Sequence, residues 1–108
     1  MIKCARAKDC LTVFLSGEID HHAATSIRSE IEKQLNDPTI LKLLLDFSKV
    51  SFMDSSGIGM IIGRYKTMKA RKGEMASTGL SSSVERIYRV GGLHRIIPIK
   101  EHGGEDGR

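Results

Sequence analysis

The stretch ILKLLLDF, at residues 40–47, is almost continuously apolar. Its length and boundaries favour a β-strand, and an apolar run without alternation is typical of a strand buried on both faces of a parallel sheet. Leucine is also a good helix former, so periodicity alone leaves the assignment open. The segments on either side of the stretch decide it.

Both flanking segments have the pattern of amphipathic helices. Before the stretch, Ile27, Ile31 and Leu35 recur every four residues among charged ones, which predicts a helix. Asp20 is well placed to cap that helix, and residues 36–38 (Asn-Asp-Pro) end it. After the stretch, a second helix is predicted up to Gly73 from a set of spaced apolar residues: Ile58, Ile61, Ile62, Tyr65 and Met68. Helix and strand therefore alternate around residues 40–47.

The remaining segments extend this alternation. Period-two alternation predicts a strand at residues 11–16, with residues 2–7 as its hairpin partner. Position predicts another strand at residues 74–79 (EMASTG), although its small side chains offer little packing surface. Ser82 and Glu85 fit a capping box for a third helix, which Gly91-Gly92 stops. Residues 95–99 (RIIPI) are expected to form a final strand.

The predicted order β-β-α-β-α-β-α-β indicates an α/β fold. Such alternation implies a mostly parallel sheet of four to five strands with helices packed on it. The 108 residues suffice for one domain, which we expect at residues 1–99, followed by a disordered tail at residues 100–108. Since aromatic residues make up only 5%, the core is expected to be aliphatic.

Composition and charge exclude several classes of function. Neither a signal peptide nor an apolar stretch long enough for a transmembrane helix is readable, so we expect a cytoplasmic protein without a membrane partner. Cys4 and Cys10 lack metal-ligand spacing and are expected to be reduced. The net charge of +4 is a weak signal for nucleic acid. The basic cluster at residues 66–72 is better explained as the C-terminal end of a helix than as a nucleic-acid patch.

The segment Asp54-Ser55-Ser56-Gly57 is the first candidate site. Asp and Ser are preferred at helix N-caps, so the segment is expected to begin the second helix. A helix start also tolerates an anion, and a phosphate on a serine there would add roughly −1.5 to −2 charges. Beside the Asp54 carboxylate, that phosphate would repel a docked acidic surface. From the residues alone, both a structural cap and a phosphorylation site remain open.

The second candidate is Asp20-His21-His22. Adjacent histidines point to different helix faces and make poor joint metal ligands, so we expect no metal here. However, Asp20 and Ser55 occupy analogous places, because each follows a strand and opens a helix. Such junctions gather at one end of a parallel sheet. The sequence therefore predicts that both segments line one binding surface.

Signatures of enzymes are not readable in the chain. Gly57-Ile58-Gly59 does not form a Gly-rich phosphate loop, and Ser55 is not in a GxSxG elbow. His94 and His102 have no placed acidic partner. We therefore expect neither catalysis nor a cofactor.

Three segments carry a resemblance to a known family: GEIDHHAA (17–24), SFMDSSGIGMIIGRYK (51–66) and KGEM (72–75). From about residue 3 to residue 99 the chain resembles the anti-sigma factor antagonists of the STAS domain family, in particular the sporulation type that acts on sigma factor F. The resemblance implies a partner-switching regulator of transcription and not an enzyme.

The resemblance also implies specific partners and residues. The unphosphorylated protein would bind an anti-sigma factor that is itself a serine kinase, releasing the sigma factor. That kinase would phosphorylate Ser55, and a metal-dependent PP2C-type phosphatase would reset the switch. Asp20 and His21 would contribute to the contact with the partner, together with Asp54, Ser56 and Gly57, which flank the acceptor serine.

Two departures from the family pattern are visible. The fourth strand is less aliphatic than usual, and we expect the final C-terminal helix of the family to be missing, since the chain stops in GGEDGR. Two other functions remain open as hypotheses. One is a STAS scaffold or regulatory module that is not phosphorylated. The other is a small nucleotide-binding or hydrolytic domain.

Overall fold

A computed structural model of the chain describes residues 2–101. Its secondary structure runs in the order β1 (Ile2–Ala7), β2 (Cys10–Ile19), α1 (His21–Gln34), β3 (Lys42–Met53), α2 (Ser55–Ala70), β4 (Glu74–Thr78), α3 (Ser82–Val90) and β5 (Ile99–Lys100), with a single 3₁₀ turn at Leu93–Arg95. The predicted order of elements is confirmed. The tail predicted at residues 100–108 lies outside the described residues from 102 onward, whereas Lys100 belongs to β5.

The strands form one sheet in the order β1-β2-β3-β4-β5. β1 pairs antiparallel with β2, and every later pair is parallel. Each parallel connection passes through a helix and moves to the next strand in the same direction. Since such crossovers are right-handed, all three helices are placed on one face of the sheet. The expected mostly parallel α/β architecture is therefore confirmed.

β3 is the central strand and contains the stretch that decides the fold. Leu43, Leu45 and Phe47 are at most 2% exposed and pack under the helices. Leu44 and Asp46, on the opposite face, are only half-buried, because no helix among residues 2–101 covers that face. The expectation of burial on both faces was therefore wrong. The strand also begins at Lys42 instead of Ile40 and continues to Met53.

The unusual composition of β4 is explained by what packs against it. Tyr88 of α3 is fully buried, and its ring meets Phe47 edge-on at 6.4 Å between centroids. The Tyr88 hydroxyl lies 2.9 Å from Ser77 Oγ and 3.1 Å from the carbonyl oxygen of Ile97. Ser77 is itself fully buried in β4. Small side chains in this strand leave room for the tyrosine and give its hydroxyl a partner.

The buried tyrosine predicts a loss of stability at high pH. Burial raises the pKa of Tyr88 to about 12. The hydrogen bond with Ser77 lowers this pKa, but its effect is smaller than that of burial. The unfolded chain releases this proton near pH 10, so the folded state loses relative stability as the pH rises from about 10 to about 12. Between these pH values, the free energy of unfolding measured in urea should fall more steeply for the native chain than for Tyr88→Phe. Parallel pH profiles of the two proteins would contradict this prediction.

Two expectations for the C-terminal third were wrong. Ser81, one residue earlier than predicted, caps α3 by accepting from the N–H of Val84 at 3.3 Å. Glu85 instead forms an ion pair with Arg89 at 2.7 Å, so the Ser82–Glu85 capping box is not formed. The predicted strand at residues 95–99 is also largely absent. The chain makes a 3₁₀ turn through Arg95 and joins the sheet only at β5, after Pro98.

One residue of the basic cluster has a structural role. The Arg71 guanidinium donates to the carbonyl oxygens of Leu35 at 2.7 Å, Ile40 at 3.0 Å and Asp37 at 3.2 Å. These carbonyls lie at and beyond the C-terminal end of α1, where backbone acceptors lack helical partners. Arg71 therefore ties the loop between α1 and β3 to the end of α2.

This contact predicts a measurable loss of stability. Arg71→Met leaves three carbonyls without their donor, and hydrogen bonds to charged groups contribute about 1.5–3 kcal/mol. We expect the free energy of unfolding to fall by about 2 kcal/mol in urea titrations. Lys66→Met, an exposed position on the same helix, is the matched control and should stay within about 0.5 kcal/mol of the native chain. Equal free energies of unfolding for Arg71→Met and Lys66→Met would refute the stabilising role of Arg71.

Candidate functional site

The two candidate segments meet at the carboxyl edge of the parallel strands. Ile19 at the end of β2 pairs in register with Met53 at the end of β3. The N–H of Asp54 also donates to the carbonyl oxygen of Ile19 at 3.2 Å. Asp20 and Asp54 follow directly after these paired residues. The predicted convergence of the two strand-to-helix junctions is therefore observed.

Both aspartates cap the helices that follow them. Asp20 Oδ1 accepts from the N–H of Ala23 at 2.9 Å, and Asp54 Oδ1 accepts from the N–H of Ser56 at 2.8 Å. Each carboxylate thereby satisfies one of the free N–H groups at a helix start. The positive ends of the α1 and α2 dipoles thus lie side by side at one edge of the sheet.

Ser55 is the first residue of α2, and its side chain is exposed. Within residues 2–101 its hydroxyl forms no hydrogen bond, so it is free to react or to contact another protein. The next residue, Ser56, is half-buried. His21 is exposed at the first position of α1 and lines the same groove between the helices as Ser56. Two of the predicted contact residues, Asp54 and Ser56, flank Ser55 along the chain, and the start of α1, with Asp20 and His21, lies at the same edge of the sheet.

Gly57 lies beneath this surface instead of on it. A Cβ at this position would lie 2.4 Å from Met53 Cγ, 2.6 Å from Met53 Sδ and 3.3 Å from Ile19 Cγ2. Only glycine allows the first turn of α2 to pack this closely on the ends of β2 and β3. Any effect of Gly57 on a partner would act through the position of α2 and therefore of Ser55.

Phe52 is a surface residue that the sequence analysis did not single out. Its side chain is 48% exposed at the end of β3, opposite Glu18 in the register and two residues before the Asp54 cap. Large aromatic residues are enriched in protein–protein interfaces. The strand alternation, with Met53 buried and Phe52 on the other face, was the signal that could have identified it. We define the docking surface as Asp20, His21, Phe52, Asp54, Ser55 and Ser56.

Residues 2–101 contain no group of three or more His, Cys, Asp or Glu side chains that could hold a metal ion. The His21 and His22 rings face each other edge-on, with centroids 6.2 Å apart. Across the same residues, none of the helices combines the length and the apolar character needed to span a membrane.

Comparison with known proteins identifies the class to which this fold and this site belong. The STAS domain pattern matches residues 2–105. The chain therefore belongs to the STAS domain family.

Two relatives narrow the comparison within the family. An anti-sigma F factor antagonist of Paenibacillus polymyxa is 35% identical, over 94% of this chain and 86% of the relative. An anti-sigma-B factor antagonist of Listeria monocytogenes is also 35% identical, over 93% of this chain and 87% of the relative.

Solved structures agree with this assignment. The unphosphorylated form of the anti-sigma factor antagonist SpoIIAA superposes with a TM-score of 0.85 at 26% identity, covering 97% of this chain and 90% of that one. The phosphorylated form of SpoIIAA, a Bacillus cell fate determinant, superposes with a TM-score of 0.78 at 25% identity, covering 97% and 94%. The STAS fold predicted for this chain is thus confirmed.

Proposed function

We propose that this chain is an anti-sigma factor antagonist that is switched by phosphorylation of Ser55. In this proposal the unphosphorylated chain binds a kinase-type anti-sigma factor through the docking surface and releases the bound sigma factor. The kinase then phosphorylates Ser55, and the complex dissociates. The observation that carries the proposal is the exposed, unbonded Ser55 hydroxyl at the start of α2, directly after the Asp54 cap and at the same edge of the sheet as the Asp20 cap of α1.

Electrostatics explains how one phosphate would change binding without unfolding the protein. A phosphoserine carries roughly −1.5 to −2 charges at neutral pH. The N-terminus of α2 stabilises that charge within the free chain, because its dipole is positive there. The Asp20 and Asp54 carboxylates already make this edge acidic, and the phosphate would make it strongly so. A partner surface suited to an uncharged hydroxyl would then be repelled.

The relatives support the proposal through what their names state. Two of them are named as antagonists of anti-sigma F and anti-sigma-B factors. SpoIIAA, whose fold this chain shares, has been solved both without and with phosphate. A reversible switch requires an enzyme that removes the phosphate, and we assign that role to a PP2C-type phosphatase. The chain itself would act by binding and not by catalysis.

Displacement of a sigma factor tests the proposed function. A fluorescently labelled sigma factor is bound to its purified kinase-type anti-sigma factor, and the unphosphorylated chain is titrated in while anisotropy is followed. Release of the labelled sigma factor is expected. Binding of the chain without any release would instead favour a STAS scaffold that is not a switch.

A further inference from the structure

A groove between α1 and α2 opens next to the docking surface. It encloses about 260 Å³ and shares His21 and Ser56 with that surface. Gly59 and Gly63 also line the groove, and each leaves open space where a Cβ would otherwise stand. Its remaining lining includes the basic side chains Arg28 and Arg64 and no acidic one. The groove is therefore a small slot that begins beside Ser56 and has two arginines in its lining.

Arg64 is unusual for its burial without full pairing. Its side chain is only 8% exposed, and its Nη2 donates to Glu32 Oε2 at 3.0 Å. Its Nε and Nη1 are also buried, but within residues 2–101 neither has a hydrogen-bond partner. A buried donor left unpaired costs about 1–3 kcal/mol, and more when it belongs to a charged group. Because both donors are buried, an acceptor from another molecule would reach them only when the Arg64 side chain turns into the groove that it lines.

We propose that this groove receives a carboxylate side chain of the docked partner, an aspartate or a glutamate, which accepts hydrogen bonds from Arg64. The inference rests on the proposed function and names the chemistry of the partner at that surface. Small-molecule pockets usually enclose about 300–1,000 Å³, so this groove suits a single side chain better than a larger ligand. Arg28 at the same groove adds a second guanidinium and shares the Glu32 carboxylate with Arg64, at 3.5 Å from the Arg28 Nε, so the two arginines together keep one positive charge in excess.

The position of the groove connects it to the switch. Ser56 belongs to both the groove and the docking surface, and it directly follows Ser55 in the first turn of α2. Arg64 lies nine residues after Ser55 in α2, which places it about 13 Å further along the helix axis and on the opposite side of the helix. A carboxylate seated against Arg64 would therefore hold the partner against α2 without meeting the Ser55 phosphate directly. The groove would add affinity and orientation to docking, while the charge at Ser55 would act as the switch.

The direct test measures the affinity of the chain for a purified kinase-type anti-sigma factor by calorimetry. Arg64→Gln is expected to bind at least tenfold more weakly, because it removes the charged donors. Arg89→Gln is the matched control, an arginine that is also paired with a glutamate but lies on α3. It should bind within twofold of the native chain. Gly63→Leu fills the groove while keeping Arg64, and it should also weaken binding at least tenfold.

A second arm needs no protein partner and uses glutarate as the probe. In the ¹⁵N-labelled chain, titration should shift the Nε–H signal of Arg64 saturably and leave that of Arg89 nearly unchanged. An unchanged Arg64 signal, or a response to inorganic phosphate but not to glutarate, would overturn the carboxylate assignment.

The two proposals can fail separately. If Arg64→Gln and Gly63→Leu bind like the native chain while Ser55→Asp does not, the groove inference is wrong and the proposed function stands. If the native chain does not bind a kinase-type anti-sigma factor, the proposed function fails, and the glutarate titration still decides whether the groove takes a carboxylate.

Discussion

Ser55→Asp is expected to bind a kinase-type anti-sigma factor at least about tenfold more weakly than the native chain, which corresponds to about 1.4 kcal/mol. The substitution places a permanent negative charge next to the Asp54 cap, on an exposed position of the docking surface that also contains the Asp20 cap. Like charges brought together in an interface cost up to several kcal/mol. Aspartate carries less charge than a phosphate, so true phosphorylation should weaken binding further. Calorimetry with the purified partner measures the affinity of the Ser55→Asp variant and that of the phosphorylated chain.

Ser82→Asp is the matched control for this prediction. Ser82 is the first residue of α3 as Ser55 is of α2, and both side chains are exposed. Aspartate there adds the same charge at an equivalent helix start, away from the docking surface. Its affinity should equal that of the native chain. If Ser55→Asp also kept native affinity, the electrostatic mechanism of the switch would be refuted.

Gly57→Ala should lower the free energy of unfolding even though alanine favours helices. The added Cβ would lie 2.4 Å from Met53 Cγ, so Met53 or the start of α2 must move. Such overpacking costs typically about 1–3 kcal/mol. Because the displaced turn carries Ser55, the variant should also be phosphorylated more slowly. Urea unfolding and the initial rate of phosphate incorporation measure the two effects.

Gly63→Ala, in the same helix, separates packing from helix propensity. Nothing lies within 4 Å of the Cβ that it would introduce. The substitution should therefore stabilise the protein by up to about 1 kcal/mol, the usual difference between alanine and glycine in a helix interior. Gly57→Ala and Gly63→Ala should thus shift stability in opposite directions. A stabilised Gly57→Ala would contradict the tight contact beneath Ser55.

The features that depend only on residues close together in the chain, such as the central strand and the two helix caps, were predicted from the sequence. The apolar stretch at residues 40–47 predicted the central strand, and the aspartates at positions 20 and 54 predicted the two caps, because a cap depends on residues within one helical turn. Their convergence followed from the parallel topology. The same reasoning failed at α3, where Ser81, Ser82 and Ser83 are all able to cap, so composition could not select Ser81.

Features that depend on distant residues could not be read from the sequence. The role of Arg71 requires the loop after α1, whose carbonyls are more than thirty positions away in the chain. The burial of Arg64 and the groove beside it depend on how α1 packs against α2. The small residues of β4 made sense only once Tyr88 was placed against them. For Ser55, the residues predicted a helix cap, and the family resemblance supplied the proposed phosphorylation.

Phosphorylation of Ser55 as the switch is tested most directly by incubating the chain with a purified kinase-type anti-sigma factor and ATP. The mass of the intact chain is then measured. The native chain should gain one phosphate, as should the Ser56→Ala control, whereas Ser55→Ala should gain none. Phosphate incorporated equally into Ser55→Ala, or no incorporation into a native chain that binds the kinase, would contradict the assignment of Ser55 as the switch.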